Sequence, residues 1–302
     1  MISEAVVEAL KGFVPEENVR MQEPMAGHTT FRIGGPADCF VQLENQAQLI
    51  RVQKYLRLVE IPFFIMGNGS NLLVSDKGYE GVILQVGPKM SDIQVEGCQI
   101  KAQAGAALAQ VARTALEHGL TGLEFASGIP GTVGGGVVMN AGAYGGEMSQ
   151  VVTQVDVVNS QGEVMELGNA TMEFGYRTST IRNNPFIVTE VTFRLQQGDR
   201  ELIRERMEEL AVQRRQKQPL EYPSAGSTFK RPEGHFAGKL IMDAGMRGFQ
   251  IGGARVSDKH CGFIINVGHA TAQDVQDVIW EVRERVKERL FVDLEPEIVF
   301  LG

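Results

Sequence analysis

Over the first 200 residues the apolar and polar positions fall into short blocks whose period changes repeatedly between two and about 3.6. Ser3–Phe13 reads as an amphipathic helix. Asp38–Leu43 alternates like a strand, whereas Gln46–Glu60 places Leu49, Ile50, Tyr55, Leu56 and Val59 at helical spacing. Ile61–Met66 is an apolar run short enough to be a buried strand. Gly67-Asn68-Gly69-Ser70-Asn71 follows, and Leu72–Ser75 then reads as a strand rather than a helix. Further along, two strand pairs are predicted between residues 81 and 103, a helix over 107–118, and strands near 151–158 and 187–195. The pattern breaks at Gly198-Asp199, a turn signal before the highly charged helical stretch 200–217. Near the C-terminus, Val275, Val278, Ile279, Val282 and Val286 form one helical stripe. Thr271 and Asp274 stand ahead of it at capping-box spacing, and a strand Ile298–Leu301 closes the chain. Strand-like and helix-like pieces thus alternate, with a domain boundary at 198/199 and residues 1–28 as a helix and lead-in.

Composition adds one departure from this ordinary globular picture. The 302 residues contain 35 glycines, where typical usage of about 7% would give roughly 21. Ten lie in residues 119–146, whose only charge is Glu124, and seven more in residues 226–253. Glycine loses more conformational entropy on folding than any other residue, so such clustering needs an offsetting interaction. A net charge of −8 argues against a general nucleic-acid or anionic-membrane binder. No apolar stretch approaches the ~18 residues of a membrane span, and Met1–Phe13 carries Glu4 and Glu8 instead of an export signal, so a soluble, cytoplasmic protein is expected. Cys39, Cys98 and Cys261 are widely spaced, and the five histidines include no HExxH. Neither a disulfide framework nor a metal site is expected.

The chemistry-bearing segments each admit two readings. Gly67–Asn71 is either a tight turn or a loop whose bare N–H groups receive an anion. A Rossmann fingerprint is excluded, since its sixth position is Leu72 and no helix is predicted to follow. Ser127–Gly136 and Asn140–Gly146 are either close backbone packing or the wall of a phosphate-bearing cofactor. Arg177, Ser227 and Glu297 are each either structural or catalytic. Ser227 follows the flexible Gly226 but lies in no GxSxG elbow, which weakens a hydrolase reading. The basic residues Arg214, Arg215, Lys217, Lys230, Arg231 and Lys239 are either a solvated face or an anion site.

Taken in order, these segments resemble the UDP-N-acetylenolpyruvoylglucosamine reductase family. The resemblance runs through Thr30–Ala37 (TFRIGGPA), Gly67–Leu73 (GNGSNLL), Gly128–Gly135 (GIPGTVGG) and Asn140–Gly145 (NAGAYG). It continues through Tyr176-Arg177, Pro223–Lys230 (PSAGSTFK), Val256–His260 (VSDKH) and Glu297. The form around Arg177 and the PSxGS run is similar to the family's second type, which lacks an extra substrate-clamping loop. The resemblance implies an FAD-binding region of the vanillyl-alcohol-oxidase-like type in two lobes over residues 29–198, and an α+β substrate domain over 199–302. It implies non-covalent FAD held by Gly67, Asn68, Gly69, Ser70, Asn71, Leu72, Gly131, Thr132, Gly134, Gly135, Asn140, Ala141 and Gly142. Arg177, Ser227 and Glu297 match the family's catalytic positions, and Lys217, Lys230 and Tyr144 are expected to face substrate.

The activity so implied is reduction of an enolpyruvyl group by NADPH through FAD, within peptidoglycan precursor synthesis, by a monomer or weak homo-oligomer. Hydride addition to the methylene carbon would place negative charge on the carboxylate side. Arg177 and Glu297 would stabilise that charge, and Ser227 would protonate the adjacent carbon. The family's FAD region would also serve a flavin oxidase with another substrate, and a non-catalytic nucleotide-sugar-binding module is the alternative from outside enzymes. Two positions depart from the family pattern. Glu297 lies in Glu-Pro-Glu-Ile-Val, which makes Glu295 a rival carboxylate, and residue 262 is Gly where many relatives carry Asn.

Overall fold

The computed structural model describes residues 2–302, which form two compact units. Each unit gathers segments from distant parts of the chain. The first comprises residues up to Met21 with Cys39–Asn68 and Gly81–Arg214; the second comprises Gln22–Asp38, Gly69–Glu80 and Arg215–Gly302. Residues 22–38 and 69–80, which a contiguous division assigns to the N-terminal region, therefore pack with the C-terminal segment. The reason is local to the second unit: Leu72–Val74 pairs in parallel with Val299–Leu301, a partner more than 200 residues away in sequence.

In the first unit a five-stranded antiparallel sheet runs Val164–Gly168, Val152–Val158, Ile187–Arg194, Gln99–Gln103, Ile93–Glu96. Val155, Val157, Val191, Phe193, Ile100 and Ala102 are fully buried, as expected where a strand face meets a covering layer. Helix Gln46–Leu58 buries Leu49, Val52 and Leu56, and Asn45 caps it by accepting the N–H of Gln48 at 2.9 Å. Helix Leu108–Glu117 buries Leu108, Val111, Ala112 and Ala115. Between residues 81 and 103 the structure forms three strands rather than two pairs. Tyr79–Gln85 lies parallel to Phe63–Met66, while Ile93–Glu96 and Gln99–Gln103 make a hairpin around Gly97.

The second unit has its own core, built around Phe31, Leu73, Phe229, Ile241, Val256 and Ile264 with the buried stripe of helix Ala272–Leu290. That stripe is the one read from the sequence, and each fully buried Val or Ile contributes about 1.5–3 kcal/mol. Thr271 and Asp274 form the capping box. Two further N–H groups at the helix start, those of Ala272 and Gln273, donate to the Asp76 carboxylate at 2.8 and 3.0 Å. The four orphan donors of the helix N-terminus thus find two partners in the local capping box and two in Asp76, far away in sequence. Among the described residues, no helix is long and apolar enough to cross a membrane.

Candidate active site

The glycine-dense segment of the first unit contains a short helix, Val133–Val138, that the sequence pattern does not announce. Each glycine in a helix costs about 1 kcal/mol relative to alanine, so packing must hold it. The N–H groups of Val133 and Gly134 donate to Ala106 and Ala104 carbonyls at 2.8 Å each, and that of Gly135 donates to the Thr132 hydroxyl at 3.3 Å. A Cβ on Gly134 would press on Ala104, and one on Gly136 on Leu108. Gly134 and Gly135 therefore offer close backbone surface rather than free N–H donors. Gly135 differs in one respect: it is exposed, and a Cβ there would meet only the Thr132 hydroxyl, at an ordinary 3.5 Å.

Gly67 packs against the same cap. A Cβ on Gly67 would overlap the Thr132 hydroxyl, so the loop and the helix start approach as they do only because residue 67 is glycine. Gly131 accepts from the Leu108 N–H at 3.1 Å. Asn68 reaches the Pro130 carbonyl only at 3.5 Å. Among the described residues, the N–H groups of Asn68, Gly69, Ser70 and Asn71 donate to no carbonyl. Four consecutive donors without a carbonyl partner among the described residues are a feature that a phosphate-bearing cofactor such as FAD fits, so the turn at Gly67–Asn71 also has the makings of an anion loop. Leu72, by contrast, is a buried strand residue with 7% of its surface exposed.

Asn140 and Tyr144 both adopt left-handed backbone, at φ 41° and 53°. Asn140 is buried: its amide donates to the Gly175 carbonyl at 3.1 Å and accepts from the Ser149 N–H at 3.0 Å. Ala141 donates to the Gly136 carbonyl at 2.8 Å. Gly142-Ala143 pairs with Gly146-Glu147, so Tyr144-Gly145, both at positive φ, form the two-residue turn that tight hairpins favour. Tyr144 thereby stands at a hairpin tip. Near it, Arg214 lies against Gly128, where a Cβ would come within 2.9 Å of its Nη1. Burial holds the Arg214 guanidinium below its ordinary pKa, partly opposed by Tyr144, and among the described residues it forms no ion pair. The sequence offered Arg214 only as one of a basic cluster; its packing on Gly128 sets it apart.

Arg177 occupies another tight turn, closed by reciprocal hydrogen bonds between Gly175 and Thr178. It is left-handed at φ 56°, an uncommon conformation for a long side chain and one that accumulates at functional sites. Its carbonyl accepts from Arg182 Nη1 at 2.9 Å, and its guanidinium sits 5.2 Å from the centre of the half-exposed Tyr176 ring.

Within the second unit, Ser227 is exposed and follows Gly226 at φ 78°. Its neighbour Thr228 is buried and fixed from three directions. Its N–H donates to Gly262, its hydroxyl accepts from Ile264, and its carbonyl accepts from the Glu297 N–H at 2.8 Å. The structure thus brings the Ser227 segment and Glu297 together on adjacent extended stretches, bridged again at Phe229 and Pro296. Asn71 joins them by donating from Nδ2 to the Glu297 carbonyl at 3.1 Å. Lys230, expected to face substrate, instead pairs with Glu295, whose side chain is 69% exposed. Lys217 is exposed at the end of helix Arg200–Lys217. Gly262 also acquires a reason: a Cβ there would strike the His260 ring, whose Nδ1 accepts from the Gly262 N–H at 3.1 Å.

A family model described as an FAD binding domain matches residues 37–168, and one described as the UDP-N-acetylenolpyruvoylglucosamine reductase C-terminal domain matches residues 218–301. The chain is 50% identical over 301 residues to the UDP-N-acetylenolpyruvoylglucosamine reductase of Caldanaerobacter subterraneus subsp. tengcongensis, covering 100% of this chain and 99% of that one. It is 48% identical over 293 residues to the Clostridium kluyveri protein of the same name, covering 97% and 96% of the two chains. Among solved structures, the Thermus caldophilus UDP-N-acetylenolpyruvylglucosamine reductase superposes with a TM-score of 0.81 at 34% identity, over 94% of this chain and 98% of that one. The chain, α+β in fold and carrying an FAD-binding domain, belongs to the UDP-N-acetylenolpyruvoylglucosamine reductase family of oxidoreductases.

Proposed function

We propose that this protein reduces the enolpyruvyl group of UDP-N-acetylenolpyruvoylglucosamine to the lactyl ether of UDP-N-acetylmuramate, a step in peptidoglycan precursor synthesis, with NADPH as reductant. The observation that carries the reading is the bracket around Glu297. A carboxylate expected to act on the substrate is hydrogen-bonded through its own N–H to the residue that follows Ser227. FAD, for which the loop Gly67–Asn71 offers main-chain donors, would supply the hydride-transfer chemistry between NADPH and the methylene carbon of the enolpyruvyl group.

The chain's own residues handle the rest. Asn68–Asn71 are assigned N–H donation to the pyrophosphate, and Gly131–Gly135 with Asn140–Gly142 are assigned to the cofactor wall. As hydride reaches the methylene carbon, electrons move into the carboxylate as an enolate. The Arg177 guanidinium stabilises that charge, and Glu297 in its protonated form donates a hydrogen bond to it. Ser227 then gives its hydroxyl proton to the adjacent carbon and recovers one from its surroundings. Lys217, Lys230 and Tyr144 are assigned to the substrate side, Lys230 by exchanging Glu295 for a phosphate. Residues 29–198 act as the non-covalent flavin region and residues 199–302 as the substrate region of a cytoplasmic monomer or weak homo-oligomer.

Anaerobic spectroscopy tests this directly. NADPH is expected to bleach the flavin, and the enolpyruvyl sugar nucleotide to restore its colour without oxygen. Restoration by oxygen alone would assign the protein to flavin oxidases, and a chain that takes up no FAD would be a binding module.

A further inference from the structure

We propose that Asn71 is a positioning residue for Glu297, acting through the carbonyl that its side-chain amide holds. The inference rests on the catalytic reading of Glu297 given above and extends it to the loop expected to hold the cofactor.

The argument starts from the parallel pair formed by Leu72–Val74 and Val299–Leu301, in which Leu72 stands opposite Val299. The Val299 N–H donates to the Asn71 carbonyl at 2.9 Å. In a regular parallel ladder each residue bonds to partners two apart on its neighbour, so the next bond outward would run from the Asn71 main-chain N–H to the Glu297 carbonyl. That bond is replaced. The donor to the Glu297 carbonyl is Asn71 Nδ2, at 3.1 Å, and the main-chain N–H of Asn71 is left with the free donors of Asn68, Gly69 and Ser70. One residue therefore faces two ways, with its side chain completing the ladder under Glu297 and its N–H belonging to the anion loop.

The other side of Glu297 is fixed just as closely, because its N–H donates to the Thr228 carbonyl at 2.8 Å. Its main chain is thus held by one bond from the segment of Ser227 and one from Asn71. The first bond is backbone to backbone and survives any side-chain change. The second depends on a carboxamide donor at residue 71, and no other residue type of that length supplies a neutral N–H in the same place. Thr30 anchors the same loop, donating its N–H to the Gly69 carbonyl at 3.3 Å and its hydroxyl to the Ser224 carbonyl at 2.7 Å. Removing the Asn71 amide alone leaves that anchor in place.

The test is anaerobic stopped-flow on holoenzyme, with rates taken per bound flavin so that occupancy does not enter. Asn71→Ala is expected to slow re-oxidation by the enolpyruvyl sugar nucleotide about tenfold, the effect of losing one well-placed hydrogen bond in a transition state. Its pH profile should move in the same direction as that of Glu297→Asp. Asn71→Asp places a carboxylate against the Glu297 carbonyl and should be slower still, recovering as pH falls and the new carboxyl becomes a donor. In the flavin-free protein, Asn71→Ala should speed hydrogen exchange at the Glu297 amide. Glu297→Gln is the reference. If it re-oxidises at the wild-type rate, the role of Glu297 itself fails. If it is slow while Asn71→Ala and Asn71→Asp match wild type per bound flavin, the positioning role of Asn71 is overturned, even if both variants hold FAD weakly.

Discussion

Asn140 holds Gly175 from 35 residues away, donating its side-chain amide to the Gly175 carbonyl at 3.1 Å, one residue before Tyr176 and two before Arg177. The same side chain accepts from the Ser149 N–H, so both ends of the amide are used in a buried setting. Asn140→Ala strands the half-buried Ser149 N–H and Gly175 carbonyl. It is expected to lower stability by about 1–3 kcal/mol in urea titration. Because the Arg177 turn loses its tether, substrate reduction should fall more than flavin reduction by NADPH. An equal loss in both would make the contact purely structural.

Glu295 and Glu297 separate by their surroundings. Glu295 is largely exposed and paired with Lys230, an arrangement worth about 0–1 kcal/mol. Exchange of Glu295 for Gln is expected to change kcat by less than about threefold. Exchange of Glu297 for Gln should cost about 100-fold or more in substrate reduction, the range of a lost acid–base or charge-stabilising group. The reverse pattern would move the catalytic assignment to Glu295.

Two glycines distinguish packing from cofactor contact. Gly67→Ala drives a methyl into the Thr132 hydroxyl and should lower the melting temperature of the flavin-free protein. Gly135→Ala meets nothing closer than 3.5 Å and sits in a helix, so the flavin-free protein should keep or gain stability, by up to about 1 kcal/mol. If Gly135 is part of the cofactor wall, the same substitution should weaken FAD binding measured by fluorescence. Unchanged affinity would remove Gly135 from that wall.

Acid stability should depend on two groups of the second unit, both with folded pKa values below their ordinary ones. The Thr271 N–H, and after it that of Gly253, hold the Asp274 carboxyl below 3.8 despite some opposition from burial. Its stabilising contribution is present above 3.8 and is lost as pH falls through the depressed value. Burial likewise holds His260 below 6.5, so the neutral ring is favoured and stability falls as pH drops below 6.5. Denaturation followed from pH 8 to 3 is expected to show both limbs. Asp274→Asn should flatten the lower one, and His260→Gln the upper one.

The long periodic elements were legible in the sequence because a single stripe or alternation defined them. Val275 through Val286 and Gln46–Leu58 are cases where burial of one face decides the structure. The helix Val133–Val138 was not legible. Glycine propensity argues against it, and only the tertiary acceptors Ala104 and Ala106 hold its first turn. The residue types at Arg177, Ser227 and Glu297 could be singled out, but nothing in the local sequence ties Glu297 to Thr228 or Asn71. Asp76 is a similar case: in sequence it is one more turn aspartate, and its role appears only when Ala272 and Gln273 donate to it. The interleaving of the units was hidden for the same reason, since a strand of three residues announces nothing about a partner more than 200 positions on.

That pairing sets an order of events at the ribosome. Leu72–Val74 emerges first, yet the strand it needs is formed by Val299–Leu301, more than 200 residues further along. Until those residues are made, this apolar strand lacks that partner, and a contact of such sequence separation closes slowly. The second unit therefore completes its fold only once Val299–Leu301 are available, and loss of that strand would leave an open edge at Leu72–Val74.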